Sequence, residues 1–179
     1  MRIISGEFKG RKFFPANLKF TRPTTDFARE GLFNMLHSRL DFDGMQILDL
    51  YSGSGAITFE FISRGVQSVV AVDKQVESVK FIASVKSKWE IENVETIKSD
   101  VLRYLERCHM KFDLIFADPP YQSEDHLEII KIVYENKMLK DEGYLVLEHE
   151  KRKNFESVSG FEFQRSFGNV NFSIFRQSN

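Results

Sequence analysis

Cysteine is nearly absent from this 179-residue chain: Cys108 stands alone, which excludes an internal disulfide framework and a CxxC metal or redox site. Proline is scarce too, with four in all, two of them adjacent at Pro119 and Pro120. No apolar run approaches the ~20 residues of a membrane helix. Met1-Arg2-Ile3-Ile4-Ser5 runs into charge with no signal-peptide core, so a cytoplasmic protein is expected. The four histidines, His37, His109, His126 and His149, have no metal-ligand spacing and are read as surface or structural; no metal is expected. There is no Walker loop and no nucleophile elbow. The net charge of −1 by itself points to no partner.

The distribution of charge says more. Residues 1–22 carry +5, leaving −6 for the remainder. A basic arm on an acidic body can mark a nucleic-acid surface, and Arg2, Lys9, Arg11, Lys12 and Arg22 are the candidate nucleic-acid contacts. Phe8, Phe13 and Phe14 lie among these cations and could touch a nucleic acid as well. The competing reading is a solvated hairpin, with Arg2–Ser5 and Arg11–Phe14 as short strands about a glycine turn.

After a helix expected from Thr21–Asp26 onward, with Ala28, Leu32, Met35 and Leu36 on one face, strands and helices alternate. Strands are expected at Ile47–Leu50, Ser68–Val72, Val94–Lys98, Phe112–Ala117 and Gly143–Leu147. Helices are expected at Ala56–Ile62, stopping at Gly65, then Val76–Glu90, Val101–Cys108 and Leu127–Tyr134. Phe161–Arg165 and Val170–Phe175 read as a closing antiparallel pair. The pattern predicts an α/β fold: an open, mainly parallel sheet with helices on both faces.

Four signals fall at the carboxyl ends of the first four strands, the rim where such sheets bind ligands. Asp49-x-Tyr51-Ser52-Gly53-x-Gly55 is a glycine turn between strand and helix. Asp73 follows 24 residues after Asp49, where a carboxylate can accept both hydroxyls of a ribose. Asp100 and Val101 can receive an adenine. Asp118-Pro119-Pro120-Tyr121 sets a carboxylate and a carbonyl side by side to accept two hydrogens of one amino group. Tyr121 adds a flat surface for a planar group. Glu148-His149-Glu150 reads as the polar end of the fifth strand.

Together these motifs resemble the class I, S-adenosylmethionine-dependent amino-methyltransferases. Thr58 stands where a dinucleotide fingerprint has its third glycine, which disfavours a nicotinamide cofactor. The blocks Met1–Lys12, Thr21–Asp26, Gly31–Leu36 and Asp49–Ala56 are similar to the RsmD family, a likeness that runs from residue 1 to about Arg176. Tyr51, Ser52 and Thr58 stand where that family more often has phenylalanine, alanine and glycine, and Phe167 where tyrosine is commoner.

The resemblance implies a Rossmann-like class I methyltransferase: a seven-stranded, mostly parallel sheet with a C-terminal antiparallel strand. It implies one domain over 1–179, with a basic N-terminal hairpin, 1–22, on a catalytic core, 23–179. It implies methyl transfer from S-adenosylmethionine to the N2 amino group of a guanine in bacterial 16S rRNA. The substrate would be that RNA or a small-subunit assembly intermediate, and the protein a monomer. The cofactor would meet Asp49, Tyr51, Ser52, Gly53 and Gly55, then Asp73 and Lys74, then Asp100 and Val101, with Thr24 and Thr25 closing over it. Asp118, Pro119, Pro120 and Tyr121 would carry catalysis. Two other readings remain open: a DNA adenine-N6 methyltransferase, and a catalytically silent RNA-binding relative.

Overall fold

A computed structural model describes residues 1–14, 25–120 and 123–177. Its centre is a seven-stranded sheet of β1 (Gln46–Leu50), β2 (Ser68–Asp73), β3 (Val94–Lys98), β4 (Phe112–Ala117), β5 (Leu139–Glu150), β6 (Phe161–Phe167) and β7 (Val170–Arg176). The spatial order is β3-β2-β1-β4-β5-β7-β6. β3, β2, β1, β4 and β5 run parallel, and β7 lies antiparallel between β5 and β6. The chain winds outward through β1, β2 and β3, then restarts with β4 on the other side of β1. Between β1 and β4 the connections diverge, and a crevice opens at their carboxyl ends.

The central strands are apolar along their whole length because both faces are covered. One face carries α1 (Asp26–His37), α2 (Ala56–Ser63) and α3 (Val76–Lys88). The other carries α4 (Val101–Arg107) and α5 (Asp125–Glu135). α2 has no solvent face: all eight of its residues are buried, between the sheet and the N-terminal segment. Phe33, Phe42 and Phe61 meet edge to face beside it, Phe33 and Phe61 at 4.7 Å, an arrangement worth about 0.5–1.5 kcal/mol beyond area burial.

The N-terminal segment is locked to α2. Ile4 and Ser5 donate their amides to the two oxygens of Glu60 at 2.8 and 3.1 Å. Glu7 and Phe8 donate to Ser63, the first to its carbonyl and the second to its hydroxyl. A Cβ at Gly6 would stand 1.7 Å from the Ser63 carbonyl oxygen, so only glycine fits there. Glu60 has no exposed surface and meets Arg29 on one side and Arg64, at 2.9 Å, on the other.

Several expectations change. The two N-terminal strands reduce to one bridge, Arg2 opposite Lys12. Phe8 and Phe13 are core residues against Trp89 and Phe59, not RNA contacts, while Phe14 is exposed. β5 starts at Leu139, four residues early, because Leu139 pairs with Phe112 before a register shift that hides the alternation. α2 and α3 end near their expected stops, with left-handed Gly65 and Glu90 just beyond. Thr25 caps α1 through the Ala28 amide at 3.2 Å; the earlier part of that expected helix start lies outside the described residues.

Candidate active site

The turn after β1 is built on left-handed backbone. Tyr51, Gly53 and Gly55 have φ of 59°, 50° and 74°. For tyrosine this costs roughly 1–2 kcal/mol, and such strain collects at functional positions. Tyr51 is held there by its hydroxyl, which donates to Asp125 at the start of α5 at 3.0 Å. Burial and that acceptor push its phenol above the ordinary range. The tyrosine thus ties the glycine turn to the segment after Asp118.

Asp73 organises the same turn from β2. One of its oxygens accepts the Gly53 amide and the other the Gln75 amide, both at 2.8 Å. Each carboxylate oxygen has a second lone pair, so two ribose hydroxyls still find acceptors. Ser52 Oγ is buried with no hydrogen-bond partner, a polar atom waiting for a ligand. Asp100 is exposed, caps α4 through the Arg103 amide at 3.2 Å, and is followed by buried Val101. Lys74 stands exposed beside Asp73. A carboxylate, an orphaned hydroxyl, left-handed glycines and an apolar side chain on one rim fit S-adenosylmethionine, which offers a ribose, an adenine and a charged amino acid end.

Asp49 is buried under the turn, where the Thr58 hydroxyl donates to its carboxylate. Thr58, where a nicotinamide fingerprint has glycine, therefore has a task of its own. Burial pushes the Asp49 carboxyl up to about 7, against the pull of Thr58 and with help from Asp73. Just after β4, Asp118 is held well above the usual carboxylate range, first by burial, then by Glu148 and Asp49. Among the described residues no cation pairs with Asp49 or Asp118.

Residues 1–176 match the family described as Conserved hypothetical protein 95. The chain belongs to that family. Ribosomal RNA small subunit methyltransferase D of Escherichia coli is 31% identical over 162 residues, 88% of this chain and 79% of that one. Its namesake in Buchnera aphidicola subsp. Baizongia pistaciae is 32% identical over 154 residues, covering 86% and 78%. A hypothetical protein of Thermus thermophilus superposes with a TM-score of 0.85 at 24% identity, over 99% of both chains. The 16S rRNA N2 G1207 methyltransferase RsmC of T. thermophilus, solved with AdoMet and guanosine, superposes at 0.70 and 22% identity, over 88% of this chain and 45% of that one. The architecture is the Rossmann-like methyltransferase fold.

Within this family member, β5 and α5 carry residues beside the site that the sequence conceals. Glu148 and His149 are not a polar strand end: both are buried, Glu148 close enough to raise Asp118. Local pattern hides them because β5 runs to Glu150 under cover of β7, which opposes His149 with Asn171. His149 lies against the Ser173 hydroxyl at 2.7 Å and meets Phe155 edge to face at 4.8 Å. His126 stacks on the same Phe155 and is lowered to about 4, by burial and then by Lys153. Lys153 donates to the Ser123 carbonyl at 2.8 Å and to His126 Nδ1 at 3.0 Å, bracing the chain just after the Asp-Pro-Pro turn.

Not every expected site residue is on the rim. Thr25, exposed Pro120 and buried Pro119 are; Thr24, Arg22 and Tyr121 lie outside the described residues. Arg2 is near the rim but ion-paired to Asp26 at 3.1 Å. Lys9 and Arg11 sit at the opposite end. Their turn is bonded to Ser63, the last residue of α2, and Arg11 lies over Phe8 and Trp89, beyond the last turn of α3. An eight-residue helix puts about 12 Å between that place and the glycine turn. Lys12, opposite Arg2, lies between the two.

Proposed function

We propose that this chain is an S-adenosylmethionine-dependent methyltransferase acting on the exocyclic N2 amino group of a guanine in 16S rRNA. The observation that carries this reading is the juxtaposition of two carboxylate sites across the β1–β4 crevice. Asp73 with the glycine turn suits a nucleoside cofactor, and Asp118 with Pro119 suits a planar amine. The family relatives named as small-subunit rRNA methyltransferases supply the substrate class.

When bound, the cofactor supplies an electrophilic methyl group on a sulfonium. Everything else falls to the protein. Asp49 and Ser52 would face the amino acid end, Gly53 and Gly55 would let it approach the backbone, Asp73 and Lys74 would meet the ribose, and Asp100 and Val101 the adenine. Thr25 would close this site from the α1 side, and Thr24 is expected to join it.

The guanine amine is a poor nucleophile because its lone pair is delocalised into the ring. The Asp118 carboxylate and the Pro119 carbonyl accept its two hydrogens, which favours a pyramidal nitrogen with its lone pair aimed across the crevice. Pro120 withholds a competing amide donor, and Tyr121 stacks on a base drawn out of its helix. The same acceptors stabilise positive charge as it forms on nitrogen. Burial, then Glu148 and Asp49, hold the Asp118 carboxyl well above the usual range, and a positive group entering the crevice favours its charged form.

The reading extends to a single domain over 1–179, a cytoplasmic monomer, and a substrate that is naked 16S rRNA or an assembling small subunit. Incubating the protein with methyl-labelled cofactor and each of those acceptors, and separately with DNA, then mapping the label by mass spectrometry, tests it. The expected product is N2-methylguanosine in 16S rRNA. Label on adenine in DNA would select the N6 reading, and no transfer to any acceptor would leave only a silent RNA-binding relative.

A further inference from the structure

The basic N-terminal turn lies at the wrong end of α2 to guide a strand into the crevice, yet the rim has cations of its own. β5 runs three residues past the level at which Leu147 pairs with Ala117, and ends at Glu150. Lys151 and Arg152 follow at once, exposed on a turn beside the segment that Lys153 ties to Ser123. Among the described residues neither Lys151 nor Arg152 has an ion-pair partner. Their sequence neighbour Lys153 faces inward, so the run divides into one bracing lysine and two free cations.

An aromatic pair stands on the same rim. Glu150 is opposite Val170, so the β6–β7 hairpin tip rises next to Lys151 and carries Phe167. Phe167 lies against α1 at Gly31, where a Cβ would be 2.3 Å from its ring. Phe27, in the first turn of α1, meets it edge to face at 6.4 Å and is 66% exposed. A phenylalanine that open next to a second ring is a stacking surface rather than a core residue. From β4 to β6 is three strand spacings, about 14 Å. A base on this pair is therefore a neighbour of the target along the strand, not the target itself.

We propose that the RNA is gripped along this rim, its phosphates by Lys151 and Arg152 and a flanking base by the Phe27–Phe167 pair. The inference rests on the reading of the crevice as an RNA methyltransferase site and adds the track by which the strand reaches it. Phosphate neutralisation gives affinity that falls with salt, and a single-stranded base finds an exposed π-face without needing a particular sequence. Asp26, the acid next to Phe27, is neutralised by Arg2 and Arg29 and does not repel the backbone.

Binding of a fluorescent single-stranded RNA carrying the methylated segment, titrated over a range of salt, tests the track apart from catalysis. The double variant Lys151→Ser/Arg152→Ser should reduce the slope of log affinity against log salt by about 1.4, two contacts at about 0.7 each. Phe27→Ala should weaken binding by about 5- to 150-fold, and Phe27→Tyr should restore it. S-adenosylmethionine affinity by calorimetry should be unchanged in all three. Wild-type slope and affinity in folded rim variants overturn the proposal. So does transfer of the salt effect to Lys9→Ser/Arg11→Ser, or loss of a dimer on sedimentation of Phe27→Ala with RNA binding intact. If wild-type protein methylates RNA while the rim variants bind normally, the track alone fails. If wild-type protein neither binds nor methylates RNA, the functional reading fails with it.

Discussion

Carboxylates withdrawn from water stand in two settings around α2, and they are treated in opposite ways. Glu60, on the side of α2 facing the N-terminal segment, receives two backbone amides and two arginines. Asp49, under the rim, receives only the hydroxyl and amide of Thr58, and among the described residues no cation pairs with it or with Asp118. A buried charge that is paired and hydrogen-bonded holds elements together, whereas one left short of partners rises in pKa and is available to a ligand. The molecule satisfies its acids where it needs rigidity and leaves them unsatisfied where it needs chemistry.

The largest effect that would break this contrast is at Glu60. Glu60→Ala strands Arg29 in the interior and frees two amides, and should cost about 3–5 kcal/mol in denaturant unfolding. Cofactor affinity of the folded fraction should remain. A variant as stable as wild type would mean that the network at Glu60 is not what fastens the N-terminal segment.

At the rim, Asp118→Asn keeps the shape and removes the charge. Single-turnover methyl transfer with pre-bound RNA and cofactor should slow by about 10²–10³, with stability and cofactor affinity nearly unchanged. A near wild-type rate removes Asp118 as the amine acceptor.

Asp73 belongs to both categories, since it already holds the Gly53 and Gln75 amides. Asp73→Ala loses a charge-assisted hydrogen bond worth roughly 1.5–3 kcal/mol, so calorimetry should show cofactor binding weakened by about 10- to 150-fold. Unchanged affinity in a folded variant would leave Asp73 with a turn-holding role only.

The last effect is a slope. The Asp49 carboxyl is raised from 3.8 to about 7. Between those values the folded, ligand-free protein keeps a proton that the unfolded chain has lost, so stability should fall as pH rises through the window. Thermal unfolding across that range should show the slope in wild type and a flatter profile in Asp49→Asn. Equal slopes would place the titration elsewhere.

Much of this was legible in the chain. The strand-glycine-helix signal at Asp49–Ala56 and the acids ending β2 and β4 marked the rim, because parallel strands buried on both faces must be apolar until they reach the ligand. Less legible were residues whose role depends on a distant neighbour. Phe8 and Phe13 sit among cations in sequence but face Trp89 and Phe59 in space. Glu148 and His149 look like a polar end until β7 covers them. Phe27, an ordinary helix residue by spacing, is placed beside Phe167 only by the C-terminal hairpin.

The sequence by itself determined the order of elements, the crossing point between β1 and β4, and the identity of the acids at the strand ends. Those depend on local periodicity and on glycine and proline chemistry, which act within a few residues. The tertiary structure alone decided which charges are satisfied and which cations stand at the rim end of the sheet. Glu60 finds Arg29 across 31 positions, and the Lys9 turn is carried to the far end of α2 by backbone bonds to Ser63. Pairing, burial and distance from the rim belong to the folded arrangement, because they depend on neighbours that sequence order does not specify.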